Sequence, residues 1–136
     1  MAQNQESGAA GNAFGRKTAP KIAAVIGAEM LGTESNRATW AGRQVVIKCA
    51  GKNTTSVGVI YDMLDEIDLV LAAFQYKDGS FDVYSLPPET YRAHARDSRS
   101  SGAEGRVGLV TKQVFIEYGK REKLIKKAQI NSHDRK

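Results

Sequence analysis

The stretch Ile67-Asp68-Leu69-Val70-Leu71-Ala72-Ala73-Phe74-Gln75-Tyr76, then Lys77-Asp78-Gly79-Ser80, then Phe81-Asp82-Val83-Tyr84-Ser85-Leu86, decides the fold class. Its first part is a nearly continuous apolar run of strand length, and four turn-forming residues follow it. In its last part Phe81, Val83 and Ser85 alternate with Asp82, Tyr84 and Leu86, the period of a strand. Together they predict a β-hairpin. Pro87-Pro88 ends it, and a short helix over residues 89–96 is expected to start on proline.

Upstream, Ala38-Thr39-Trp40 and residues 44–50, Gln-Val-Val-Ile-Lys-Cys-Ala, read as strands around the turn Ala41-Gly42-Arg43, a second hairpin. Before it, Ile22, Val25, Ile26 and Met30 recur at helical spacing between the cap Thr18 and the stop Gly32, with Pro20 in the first turn. A helix over residues 19–31 is expected. Between the hairpins, Ser56 is positioned to cap a helix with Val57, Ile60, Tyr61 and Leu64 on one face and Asp62, Asp65 and Glu66 on the other. Residues 97–105 read as a mobile loop, 106–116 as strand-like, and 120–130 as a basic helix through Leu124, Ile125 and Ala128.

The expectation is an α+β fold: a small mixed sheet built from the two hairpins, with helices packed on it. Both hairpins should share one sheet under the first helix, because their apolar residues suffice only for a common core. With 136 residues, 41% of them hydrophobic, the chain fits one domain. The expected organisation is a disordered leader at 1–17, a domain at 18–118 and a basic tail at 119–136. The single cysteine, Cys49, sits in an apolar strand, where a buried thiol is the common case. No apolar run approaches the length of a membrane span, and the polar start Met1-Ala2-Gln3-Asn4-Gln5-Glu6-Ser7 is unlike a secretory signal, so the expected location is cytoplasmic.

Charge is unevenly distributed. Residues 92–136 hold twelve Lys or Arg against five Asp or Glu, while residues 1–91 hold eight against ten. A basic third of this kind suits a polyanion partner, because lysine and arginine release counterions condensed on phosphates. It equally suits a solvated, solubilising tail. The residues expected to meet phosphate are Arg92, Arg96, Arg99, Arg106, Lys112, Lys120, Arg121, Lys123, Lys126 and Lys127.

The order helix, hairpin, helix, hairpin, helix over residues 19–95, with Val46-Ile47-Lys48 on the second strand and Ile67-Asp68-Leu69-Val70-Leu71 later, resembles the core of the PD-(D/E)xK nuclease superfamily, the restriction-endonuclease-like fold. The resemblance implies a catalytic lysine at Lys48 and magnesium held by nearby carboxylates. Here Val46 stands where the family places its acid, and the strand before offers Asn36, Arg37 and Thr39, none acidic. Only Glu29 and Glu34 remain as carboxylates that folding would have to bring to Lys48. An endonuclease therefore requires those three to converge, and magnesium is expected only in that case. Otherwise Lys48 is a strand lysine whose stem lies on apolar surface and whose charge discourages aggregation.

Other constellations are weaker. Asp62, Asp65, Glu66 and Asp68 read as a solvated face more than a ligand set. His94 and His133 have no ligand partners at metal spacing. Ser98, Ser100 and Ser101 among Arg96, Arg99, Arg106, Gly102 and Gly105 form an anion-binding composition, with a flexible polar loop as the plainer reading. Trp40, Phe74, Phe81, Tyr84 and Phe115 are expected in the core, Tyr76, Tyr91 and Tyr118 outside it. Two functions follow from these observations: association with DNA or RNA through the basic third, or a protein-interaction or homo-oligomeric module that pairs a strand edge or the acidic helix. The endonuclease is a third.

Overall fold

All residues from Leu69 to Phe74 and from Phe81 to Leu86 are buried, which a sheet achieves only when both of its faces are covered. The computed structural model describes the backbone of residues 2–32, 36–99 and 105–134, and the side chains of 14–32, 36–99 and 105–130. In chain order the elements are α1 (Ala2–Ile26), β1 (Glu29–Met30), β2 (Arg37–Trp40), β3 (Arg43–Ala50), β4 (Ser56–Ile60), α2 (Tyr61–Leu64), β5 (Leu69–Gln75), β6 (Phe81–Leu86), α3 (Pro88–His94), β7 (Arg96–Asp97), β8 (Val107–Thr111), α4 (Lys112–Tyr118), β9 (Lys120–Ile125) and α5 (Lys127–Asp134).

The α+β fold and the shared sheet are as expected. A six-stranded mixed sheet runs β1-β2-β3-β5-β6-β9, with both hairpins in it. The hairpins meet through a parallel pair, β3 beside β5, from Val45 opposite Leu69 to Ala50 opposite Phe74. Helix α1 covers one face: Ala19, Ile22 and Ala23 pack with Val45, Ile47, Leu71, Val83 and Ile125, joined by Ile130 of α5. The other face, Val46, Ala50, Val70, Phe74, Tyr84 and Leu86, packs against Val57, Val59, Tyr91, Val110 and Phe115. Those five come from α3, α4 and a second, three-stranded sheet ordered β4-β8-β7.

Several boundaries differ from expectation. The helix spans Ala2–Ile26, not residues 19–31, and passes through Pro20 into the stretch expected to be a loose leader. Phe14 of that stretch stacks on Phe81 of β6, with ring centroids 6.3 Å apart. Met30 belongs to β1, paired with Ala38. Residues 56–60 form a strand where a capped helix was expected, leaving only Tyr61–Leu64 helical. The β-branched Val57 and Val59 are both buried while Gly58 between them is half-buried, a period of two that overrides the weak helical pattern. Of residues 106–116, expected to be strand-like, Val107–Thr111 is a strand, but from Lys112 the chain is helical as far as Tyr118.

The basic tail is part of the architecture. Its residues 120–125 pair antiparallel with β6, Phe81 opposite Ile125, with a bulge between Val83 and Tyr84, so they form a strand and not the expected helix. Ile125 and Ile130 are buried, which draws this hydrophilic segment into the core. Tyr91, expected outside, is fully buried under the small sheet, where its hydroxyl donates to the carbonyl oxygens of Gly108 (2.7 Å) and Val57 (3.1 Å). Gly108 itself has no room for a side chain: a Cβ there would sit 2.7 Å from the Tyr61 ring. Among the described residues, no helix is long and apolar enough to cross a membrane.

Candidate functional site

The lysine singled out by the strand motif does not gather carboxylates. Lys48 shares its face of β3 with Val46 and Ala50 and lies opposite Ala72 on β5, so burial lowers its pKa. Glu29 is paired with Thr39, which is paired with Gln44, placing it level with Gln44. That is four residues short of Lys48, about 13 Å along the strand, and two strand spacings across the sheet. Glu34 lies outside the described residues. The neighbours of Lys48 do not fit a magnesium site, and no group of three or more His, Cys, Asp or Glu among the described residues could hold a metal ion. Burial pushes the thiol of the adjacent Cys49 up to about 12, which makes it a poor nucleophile at neutral pH.

Three of the four acids, Asp65, Glu66 and Asp68, are divided among separate structural tasks. Glu66 accepts from Arg37 at 2.9 Å, and Asp65 from Arg92 at 3.0 Å. Asp68 accepts the Gln44 N–H at 2.8 Å and returns its own N–H to the Gln44 carbonyl, fastening the start of β5 to β3. His94 donates from Nδ1 to the Thr90 carbonyl and stacks on Tyr118, 4.3 Å between centroids. The side chain of His133 is outside the described residues.

The basic third splits into three places. Arg92, Arg96, Arg99 and Arg106 lie along the segments that lead into, form or leave the small sheet. Besides its contact with Asp65, Arg92 reaches the carbonyl of Tyr61, whose hydroxyl donates to Asp97 at 2.5 Å. Arg106 is likewise engaged, and its carbonyl accepts the Tyr61 N–H. Of the serine-arginine loop, Ser98 is buried and its N–H donates to Val107, while residues 100–104 are outside the described residues. Lys120, Arg121 and Lys123 are on the edge strand β9. Lys112, Lys126 and Lys127 are near the turn between β5 and β6.

At that last place a groove of about 600 Å³ opens, lined by Lys52, Thr54 and Thr55 after β3, by Phe74 to Asp78 at the end of β5, and by Lys112 at the start of α4. Its position follows from topology. Because β3 and β5 run parallel, their C-terminal ends lie side by side and the two outgoing loops diverge, leaving a crevice between them. The first loop is held by the Thr54 N–H on the Gly51 carbonyl (2.9 Å) and by the Lys112 N–H on Thr55 (2.7 Å). The second is closed by Asp78, which accepts the Ser80 N–H and hydroxyl at 2.9 and 2.6 Å and is thereby held below its ordinary pKa. The side chain of Lys127 lies against Gly79, and Lys126 is near enough to Asp78 to stabilise its charge.

Lys112 is the best-fixed cation of the group. Its ammonium stands 4.3 Å from the centre of the Tyr76 ring and 5.7 Å from that of Phe74. The Tyr76 hydroxyl donates to Asp82 Oδ2, which pushes Tyr76 up to about 12. Arg121 in turn grips Oδ1 of Asp82 with two N–H groups at 2.9 and 2.6 Å. Asp82 is 1% exposed, so it is a buried charge satisfied from both sides, and Arg121 of the basic third is spent on holding it. Among the described residues, Lys52, Lys77 and Lys112 have no ion pair.

Lys112, Lys126 and Lys127 were legible as basic residues, whereas Lys52, Lys77, Thr54 and Thr55 were not singled out. Their one signal is position: each follows an apolar strand by only a few residues, which matters only once the strands are known to be parallel. No protein-family model matches the chain, and comparison with the curated proteins finds no match.

Proposed function

We propose that this protein associates with nucleic acid through the phosphate backbone, at the lysine-bearing end of its main sheet, and does not cleave it. One observation carries the reading: Lys52, Lys77, Lys112 and the adjacent Lys126 and Lys127, from four chain segments, collect around one groove in whose lining Asp78 is the lone carboxylate among the described residues. Lysines that outnumber the acids beside them release counterions when they meet phosphates, which provides affinity with little sequence preference.

The order of helix, hairpin, crossover and a strand parallel to β3 supports a restriction-endonuclease-like scaffold. The apolar neighbourhood of Lys48 and the distance to Glu29 support binding over hydrolysis. Strand-edge pairing with a protein has less support, because the edge strand β9 is bulged and carries Lys120, Arg121 and Lys123, devices that discourage such pairing.

The test is fluorescence anisotropy with labelled duplex and single-stranded oligonucleotides at a series of salt concentrations. Log affinity should fall linearly with log salt, at similar slopes for unrelated sequences. An absence of binding at low salt, or magnesium-dependent cleavage lost on Lys48→Ala, would overturn the proposal.

A further inference from the structure

The groove is more specific than a basic surface needs to be. Three ammonium groups and one carboxylate line it, so its lining carries a net charge of +2. A phosphodiester along a strand brings a single negative charge, whereas a phosphomonoester brings roughly −1.5 to −2 at neutral pH. The Thr54 and Thr55 hydroxyls on the rim are exposed and available as donors to its additional oxygens. Asp78 keeps its negative charge, with Oδ1 accepting two hydrogen bonds from Ser80 within its own turn, and the three ammonium groups outweigh it.

Preorganisation points the same way. Lys112 rests on the Tyr76 ring, Tyr76 is tied to Asp82, and Asp82 is clamped by Arg121, so this ammonium is ordered before any ligand arrives. A cation with little freedom left to lose binds more tightly than a flexible surface lysine, provided that the anion enters the place prepared for it. An open groove of about 600 Å³ is also of the size that takes a small ligand or a chain end.

We infer that this groove is a phosphomonoester site, filled by the terminal phosphate of a nucleic-acid strand. The inference rests on the nucleic-acid reading for the source of that phosphate, while its chemistry stands independently.

The experiment uses the full chain and four probes: one labelled oligonucleotide with a 5′-phosphate, the same with a 3′-phosphate, the same with hydroxyls at both ends, and adenosine monophosphate. At least one phosphorylated strand should bind about tenfold more tightly than the hydroxyl strand, since charge-assisted hydrogen bonds to an extra anionic charge are worth at least that factor. Thr54→Val with Thr55→Val, and separately Lys112→Gln, should remove most of the preference; matching thermal unfolding curves would establish that both variants are folded. Equal affinity for phosphorylated and hydroxyl strands overturns the inference and leaves backbone association standing. Binding of adenosine monophosphate with no binding of any strand supports the phosphomonoester site and overturns the nucleic-acid reading. No binding of any probe overturns both.

Discussion

Two ends of the molecule carry positive charge, and they use it differently. Around the small sheet, Arg92 is committed to Asp65, and Asp97 is drawn in by Tyr61 beside it, so arginines and carboxylates share the same surface. At the C-terminal ends of β3 and β5, Lys52, Lys77 and Lys112 face a groove with one carboxylate, and that carboxylate is bonded within its own turn. Local surplus in the sequence is therefore a poor guide to where the surface attracts anions. Eight of the twenty basic residues lie in the part of the chain with a net acidic composition, yet two of those eight, Lys52 and Lys77, line the groove.

The largest expected effect tests that contrast directly. Replacing Lys52, Lys77 and Lys112 with Gln should lower the slope of log affinity against log salt by about 2–3, because each lost phosphate contact removes roughly 0.9 of slope on duplex DNA. Replacing Arg96, Arg99 and Arg106 with Ala should lower it by less than about 1. A larger loss from the arginine variant than from the lysine variant would reverse the comparison.

Arg121 sharpens it, as a basic-third residue whose charge is used inside the protein. Arg121→Met should destabilise the fold by about 2 kcal/mol, since it leaves buried Asp82 with Tyr76 as its remaining side-chain partner; Arg121 is itself half-exposed, which keeps the cost below that of a fully buried pair. Urea unfolding measures this. Salt dependence of binding, compared where both proteins are folded, should be unchanged, and a lower slope would count Arg121 among the phosphate contacts instead.

The same network has a pH signature. A phenol whose folded pKa is raised favours the native state while it is protonated, so the contribution of Tyr76 is complete below pH 10 and is lost as pH rises through about 12. Unfolding free energy should fall over that window, and Tyr76→Phe should make the fall shallower without abolishing it. Tyr61, Tyr84 and Tyr91 are raised too, by the Asp97 hydrogen bond in the first case and by burial in the other two, and have the same sign. An unchanged alkaline profile in the variant would remove Tyr76 from the account.

The smallest effect concerns a turn outside the groove lining and the small sheet. Ala41 adopts φ 52° in the turn between β2 and β3, followed by Gly42 at φ 78°, a left-handed pair that favours Asn-Gly. Ala41→Asn should raise stability by about 0.5–1 kcal/mol without altering binding, as read from thermal unfolding and the same titration.

Both hairpins were legible because their determinants are local. Alternation along residues 81–86, the turn residues Lys77-Asp78-Gly79-Ser80 and Ala41-Gly42-Arg43, and the proline after Leu86 act within a few positions of one another, and they predicted β2, β3, β5 and β6 and the start of α3. The short pattern around Val57 was ambiguous between helix and strand, and pairing with β8, some fifty residues later, decided it. Residues 120–125 have the composition of a solvated helix; they form a strand because the edge of β6 is available, Ile125 fits the core, and Asp82 requires a cation that Arg121 provides.

The sequence by itself determined the fold class, the hairpins and the cations available for an anion. Tertiary structure alone decided which cations meet. The parallel pairing of β3 with β5 sets Lys52 and Lys77, twenty-five positions apart, at neighbouring strand ends, and the packing of α4 on that corner adds Lys112. Parallel register is written in no local turn, since the crossover joining the strands permits many pairings; it is settled by burying both faces of the sheet at once.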